Sequence, residues 1–318
     1  MKGSATTKKI RKTLKKTEIF VVVGPTAVGK SSYAVELALQ HGKRAEIISA
    51  DSRQVYTGLD IGTGKITRRE MKGVPHHLLD VANPRRQFNA EEYRLLAEDA
   101  LDGIIARGNT PIIVGGTGFY IDTLMNSIMG GQILPEVKAD PKLRKKLADK
   151  TAPQLFKILQ KLDPRRAKIV SKNNSEMHNR QRLIRSIEIA TALGRVPLLK
   201  KTQKKAQGQR SKKYNITWIG LNAPSETLRD RIHDRLLKRI KAGMIDEVEQ
   251  LHKNAGLSWK RMEELGLEYR YISRHLRGQL GYATRAELIA VLESEIWQYA
   301  RRQMSWFRKN KKIKWLQK

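Results

Sequence analysis

The chain contains no cysteine. Disulfides, thiolate catalysis and cysteine-ligated zinc are therefore all excluded, and the composition suits a reducing compartment such as the cytoplasm. No run approaches the roughly 20 consecutive apolar residues of a membrane span, so no membrane partner is expected. Acidic residues are scarce: 31 Asp and Glu stand against 63 Lys and Arg, a net charge of +32. That surplus exceeds what solubility asks for and calls for a polyanionic partner. Nucleic acid comes before membrane, because no amphipathic lipid anchor stands out. General lysine enrichment would give the same surplus, so charge alone does not decide. From Lys2 to Lys16 there is neither an acidic residue nor the apolar core of a secretory signal. Residues 1–17 read as a basic, disordered arm. Their composition, with Ser4, Thr6, Thr7 and Thr13, also suits an organelle transit peptide or an arm that touches RNA.

What is present begins with a phosphate-binding loop, Gly24-Pro25-Thr26-Ala27-Val28-Gly29-Lys30-Ser31. The apolar run Ile19-Phe20-Val21-Val22-Val23 precedes it and reads as a buried strand. Ser32 to Leu39 follows with helical spacing. Strand, G-x-x-x-x-G-K-[ST] and helix together lift the pattern above an incidental glycine turn. Glycines let backbone N–H groups converge on an anion, and the helix start adds a positive dipole end. Lys30 adds a point charge, and the Ser31 hydroxyl is placed to hold Mg2+, directly or through water. The spacing therefore predicts a grip on a di- or triphosphate.

The 318 residues, 40% of them hydrophobic, suffice for one or two domains with a sizeable core. Strand and helix patterns alternate through the first half. Strands are expected at Ala45 to Ala50, His77 to Val81 and Thr110 to Val114, with an amphipathic helix from Asn89 to Arg107. Such alternation predicts an α/β fold, a P-loop parallel sheet flanked by helices, with ligands at the carboxyl ends of the strands. From Asp140 to Gly194 the pattern is helical only, and Lys200 to Lys213 is basic and loose. A strand returns at Asn215 to Gly220, and a last helix opens with the capping box Thr284-Arg285-Ala286-Glu287. The expected organisation is a core of residues 18–130 and 209–318, interrupted by an inserted all-helical module at 131–208.

The loop lacks a usual accompaniment. An ATPase or GTPase has an acidic residue at a strand end to help hold magnesium, but the strand ending at Val114 continues into Gly115-Gly116-Thr117. Asp51 is the one carboxylate at a strand end near the loop. On spacing alone three roles stand open to it: magnesium ligand, helix cap or general base.

The run Ile48-Ser49-Ala50-Asp51-Ser52-Arg53-Gln54-Val55-Tyr56, continuing through Gly58, Gly62 and Gly64 to Lys65, resembles the tRNA dimethylallyltransferase (tRNA isopentenyltransferase) family. So do Val74 to Val81, Pro111 to Tyr120, Arg182 to Glu188, Arg231 to Arg235, Gly243 to Val248, Leu265 to Tyr269 and Gln298 to Arg308. The likeness runs over nearly the whole chain from Glu18. It implies that the loop, at Gly24, Thr26, Ala27, Val28, Gly29, Lys30 and Ser31, holds the diphosphate of dimethylallyl diphosphate with Mg2+, and that Arg235 meets it from the other side. It implies Asp51 as general base on the adenine amino group, with Thr117 contacting the target adenosine. It implies an inserted module that grips the tRNA anticodon stem-loop through Arg144, Gln181, Arg182, Leu183, Ile184 and Arg185, with Ser52, Arg53 and Gln54 also on the RNA. A monomer is expected. The chain departs from the family's usual residues at His178-Asn179, at Arg239 in place of methionine, and at Ile296-Trp297. None of these removes a catalytic group.

Chemistry agrees with that reading. Adenine N6 is a poor nucleophile that becomes acidic as a C–N bond forms, so a carboxylate in reach has a proton to take. Charge building on a departing diphosphate needs preorganised donors. Arg231, Arg235 and Arg239 recur every four residues and share one helix face, which by itself reads as a solvated stripe. Trp306, Phe307 and Trp315 read as core anchors before stacking residues. Three rivals remain: prenyl transfer to free adenine nucleotides, an RNA-binding kinase or NTPase, and a non-catalytic RNA-binding protein.

Overall fold

The computed structural model describes residues 16–42, 44–130, 137–197, 213–279 and 281–318. The basic arm thus lies outside the described residues up to residue 15, as does the loose segment from residue 200 to residue 212. Contacts divide the chain into two compact units, Met1–Met129 with Gly208–Lys318, and Gly130–Gln207.

The first unit is built on a six-stranded sheet. Its strands are β1 (Thr17–Val23), β2 (Ala45–Ser49), β3 (His76–His77), β4 (Thr110–Gly115), β5 (Tyr214–Asn222) and β6 (Lys314–Gln317). Their order is β3-β2-β4-β1-β5-β6, and every pair is parallel. β1, β2 and β4 lie inside the sheet, covered on both faces, which is why they read as unbroken apolar runs. Val23 pairs with Gly115 on one side and Gly220 on the other, so β1 and β4 end level while β5 runs on to Asn222. The phosphate loop leaves from that edge. β2 meets β4 closely there: a Cβ on Gly115 would stand 2.1 Å from the Ala50 carbonyl oxygen. Only glycine lets the chain leaving β2 approach the Gly115-Gly116 turn this nearly.

Two expected elements need correction. The strand predicted over His77 to Val81 is only the pair His76–His77, matched with Ile47 and Ile48. Beyond it Leu78 and Asp80 take positive φ of 64° and 57°, and Asp80 turns its carboxylate to the Lys65 ammonium at 2.5 Å. The arm was read as reaching residue 17, but Thr17 already pairs with Tyr214 in the sheet. Elsewhere the helix signals hold. Asn89 caps helix Ala90–Ala106 in a box with Glu92, and Thr284 with Glu287 does the same for Arg285–Phe307. Phe307 is buried, while Trp306 and Trp315 pack half-buried against the core.

The second unit is helical throughout its described residues. Its helices are Pro141–Leu147, Ala152–Leu162, Pro164–Ser171, Asn174–Met177 and Arg180–Leu193. Leu147, Leu155, Leu159, Ala167, Val170, Leu183 and Ile187 form its core. The helical pattern breaks after Met177. Asn179 restarts it by accepting the Arg182 N–H, an N-cap bond that competes with helix continuation. Gly194, at φ 73°, ends it. Among the described residues no helix is long and apolar enough to cross a membrane.

Candidate active site

The phosphate loop is held open from both sides. Gly24 (φ 152°), Ala27 (φ 61°) and Gly29 (φ 91°) carry the chain from β1 into helix Lys30–Gln40. Ala27 spends strain to do so, since left-handed backbone is costly for a residue with a Cβ. The N–H groups of Ala27, Val28 and Gly29 meet no acceptor among the described residues. Those of Lys30 and Ser31 belong to the first helical turn and have no intrahelical partner. Together they form a concave set of free donors, the requirement for an anion cradle. Lys30 folds back onto the Pro25 carbonyl at 2.6 Å. Burial, with the Arg235 charge beside it, pulls its ammonium down to about 7, against the opposing pull of Asp51.

Gln303, on helix Arg285–Phe307, ties this loop to the opposite turn. Its Oε1 accepts the Thr26 N–H at 2.8 Å, and its Nε2 donates to the Gly116 carbonyl at 2.9 Å. Arg235 comes from helix Ser225–Lys241. It donates to the Thr26 hydroxyl at 3.4 Å and to the Gly64 carbonyl at 3.5 Å. Burial and the neighbouring Arg239 lower its guanidinium to about 10, while Glu268 and Asp51 act the other way. Arg239 donates to the Gly62 carbonyl and to Glu268, both at 3.2 Å. The arginine stripe is thus no solvated face: two of its members turn into the site. The stretch from Gly58 to Lys65 is a strap locked in place. The Glu247 carboxylate receives the N–H groups of Asp60, Ile61 and Gly62 at 3.0, 2.6 and 3.0 Å, and the Tyr269 hydroxyl at 2.8 Å.

Asp51 follows β2. Its Oδ1 accepts the Arg53 N–H at 2.8 Å and the Gln54 N–H at 3.3 Å, while Oδ2 carries no hydrogen bond among the described residues. One oxygen of this carboxylate thus caps the turn, and the other is open to accept a proton. Thr117 stands behind this turn, its hydroxyl oxygen accepting the Ser52 N–H at 2.9 Å, which leaves one O–H to donate. Tyr299 lies beside Asp51. Burial and then the Asp51 charge push its phenol up, so it keeps its proton.

Two cavities meet at this carboxylate. One, of about 560 Å³, is lined by Lys30, Ser31, Asp51, Gln54, Gly116 and Arg235. The other, of about 270 Å³, is lined by Asp51, Ser52, Arg53, Arg239, Tyr299 and Arg302. Asp51 lines both, with Thr26, Thr63 and Tyr299. An anion cradle opens on one side of Asp51 and an arginine-rich cavity on the other, an arrangement suited to two substrates. Among the described residues no group of three or more His, Asp or Glu comes together to cage a metal. Ser31, at the first turn over the cradle, fits Mg2+ held mainly by phosphate oxygens and water.

In the helical unit, Gln181 and Arg182 are exposed. Leu183 is buried in the core and Ile184 packs half-buried against it, so Leu183 offers its helix to a ligand but not its side chain. Arg144 binds the buried Glu188 carboxylate at 2.6 and 3.0 Å. Arg185 reaches the same carboxylate at 3.3 Å and the Val137 carbonyl at 2.8 Å. Both arginines are pre-positioned by Glu188. Between residues 130 and 207 the sequence carries 20 Lys and Arg against six Asp and Glu, a basic composition of the kind phosphates attract.

Sequence reasoning did not single out Gln303, Tyr299, Glu247, Glu268 or Arg239 for the site. The signal for Gln303 was a polar side chain on the apolar face of a long helix.

Residues 54–310 match the family model described as IPP transferase. The tRNA dimethylallyltransferase 2 of Treponema denticola is 41% identical over 305 residues, spanning 94% of this chain and 95% of the relative. The solved structure of the full-length tRNA isopentenylpyrophosphate transferase of Bacillus halodurans is 33% identical, with a TM-score of 0.66, covering 95% of this chain and 90% of that one. A eukaryotic dimethylallyltransferase acting on tRNA shares the fold at 24% identity and a TM-score of 0.74, covering 95% and 74% of the two chains. The chain belongs to the IPP transferase family.

Proposed function

We infer that this protein transfers a dimethylallyl group from dimethylallyl diphosphate to N6 of the adenosine 3′ of the anticodon in tRNA. The observation that carries the reading is Asp51, set between a cradle of unpaired backbone donors and an arginine-lined cavity. Relatives and a solved neighbour above 30% identity, named for prenyl transfer to tRNA, support the RNA acceptor over free adenine nucleotides.

The diphosphate binds the amides of Ala27 to Ser31, with Lys30 and Arg235 on either side. A magnesium ion held through Ser31 would neutralise part of its charge. The extruded base enters from the arginine-lined side, at an unstacking cost of a few kcal/mol. N6 forms a bond to the allylic carbon as the carbon–oxygen bond to the diphosphate breaks. The electron pair leaves with the diphosphate, and Asp51 Oδ2 takes the N6 proton. Arg53 and Gln54 hold Oδ1, so the carboxylate does not turn away. The Tyr299 phenol, hydrogen-bonded to the Thr117 side chain beside Asp51, is a further neutral donor at the site. Arg144, Gln181, Arg182, Arg185 and the helix that carries Leu183 and Ile184 face the anticodon stem-loop. One chain supplies every group named here, so a monomer suffices for the reaction.

The test is label transfer. With labelled dimethylallyl diphosphate and magnesium, unmodified tRNA should take up label and AMP should not. Labelled AMP, or ATP turnover lost in Lys30→Ala, would favour a rival.

A further inference from the structure

This inference rests on the RNA reading above and concerns a residue that reading does not use. Phe119 is 46% exposed, on the first turn of helix Gly118–Ile128, two residues beyond Thr117. Its ring stands edge-on to Trp306, with centroids 6.4 Å apart and planes at 78°. Trp306 is fixed in turn. Its indole N–H donates to Asp122 at 2.9 Å, and it covers Gly118 so closely that a Cβ there would fall 2.3 Å from the ring. The Lys309 ammonium lies 5.7 Å from the Trp306 centroid. An exposed ring, a rigid buttress and a cation therefore sit together beside the threonine that anchors the Asp51 turn.

Core packing does not ask for an aromatic ring with nearly half its surface in water. A base extruded from a stacked loop, however, leaves its neighbour with one bare face. An aromatic side chain can cover that face, and such stacking tolerates any base. We propose that Phe119 is a stacking platform for the nucleotide flanking the extruded adenosine, with Trp306 as its buttress and Lys309 meeting an adjacent phosphate.

The test uses the full-length protein and synthetic anticodon stem-loops, read by fluorescence anisotropy. Phe119→Ala should weaken binding about tenfold, the size expected for one lost stack. Phe119→Trp should stay within about twofold of wild type by the same stacking argument. Pyrophosphate affinity and the thermal midpoint should not move, which separates the effect from misfolding. Stem-loops abasic on the 5′ or the 3′ side of the target complete the cycle. On one of them, wild type and Phe119→Ala should bind alike. Equal losses on intact and both abasic loops, or unchanged RNA affinity in Phe119→Ala, overturn the proposal; in the second case the ring is left for a protein partner. A wild-type protein that binds no stem-loop overturns the RNA reading itself, a different result from a Phe119 variant that binds as wild type does.

Discussion

Gln303 accepts the Thr26 backbone N–H at 2.8 Å across 277 residues of sequence. Through its other amide atom it reaches Gly116, so one buried side chain sets the distance between the phosphate cradle and the turn beside Asp51. Gln303→Ala leaves a half-buried N–H and a buried carbonyl unpaired and should cost about 1–3 kcal/mol. It should also raise the KM for the prenyl donor more than it lowers kcat. Thermal melting and steady-state kinetics check both.

Asp51→Asn keeps an oxygen for Arg53 and Gln54 but cannot take a proton. Turnover should fall by about 10²–10⁴, the usual worth of a general base, while tRNA affinity stays within about threefold, since most of that affinity is phosphate contact. If binding and turnover fall together, the carboxylate is structural.

Lys30 is held near 7 in the free cradle. A bound diphosphate favours its ammonium form, so binding at pH 8 should take up protons. Affinity for pyrophosphate should decline as pH rises above about 7. Calorimetry in two buffers of different ionisation heat measures the uptake, and Lys30→Met should abolish it.

Glu46 carries a pH signature of stability. Hydrogen bonding to Arg107 first, then to Asn109 and His77, holds its carboxyl at about 2 despite burial. A folded value below the unfolded one means stability that is present above the unfolded value and lost as pH falls toward 2. Melting temperature should drop between about pH 5 and pH 2, and less steeply in Glu46→Gln.

Arg182 and Arg144 should separate binding from stability. Arg182 is exposed and its side chain has no acidic partner among the described residues, so Arg182→Ala should weaken RNA binding, lower the salt slope by about one and leave melting unchanged. Arg144→Ala should weaken RNA binding and also lower the melting temperature, because it strips a partner from the buried Glu188. Urea melts and salt titrations of RNA binding resolve the two.

Local signals made most of the fold legible in the sequence. The apolar runs of β1 and β4, the box at Thr284 and the glycine at 194 each act within a few residues. His77 to Val81 misled because its apolar residues resemble a strand, while the turn is imposed by Lys65, distant in sequence. The same limit applies at the site. The cradle is a contiguous motif and could be read directly, and Asp51 could be narrowed to three roles. Gln303, Glu247 and Arg239 act on backbone more than 170 residues away, and no periodicity encodes such a pairing. Leu183 lies between exposed Gln181 and Arg182 and half-buried Ile184, and its register on the helix turns its side chain into the core.

The most direct measurement is nucleoside analysis of unmodified tRNA incubated with dimethylallyl diphosphate, magnesium and either wild-type or Asp51→Asn protein. The account predicts N6-dimethylallyl adenosine at the position 3′ of the anticodon with wild type, and little of it with the variant despite intact tRNA binding. Unmodified adenosine with wild-type protein, or equal product from both proteins, would contradict it.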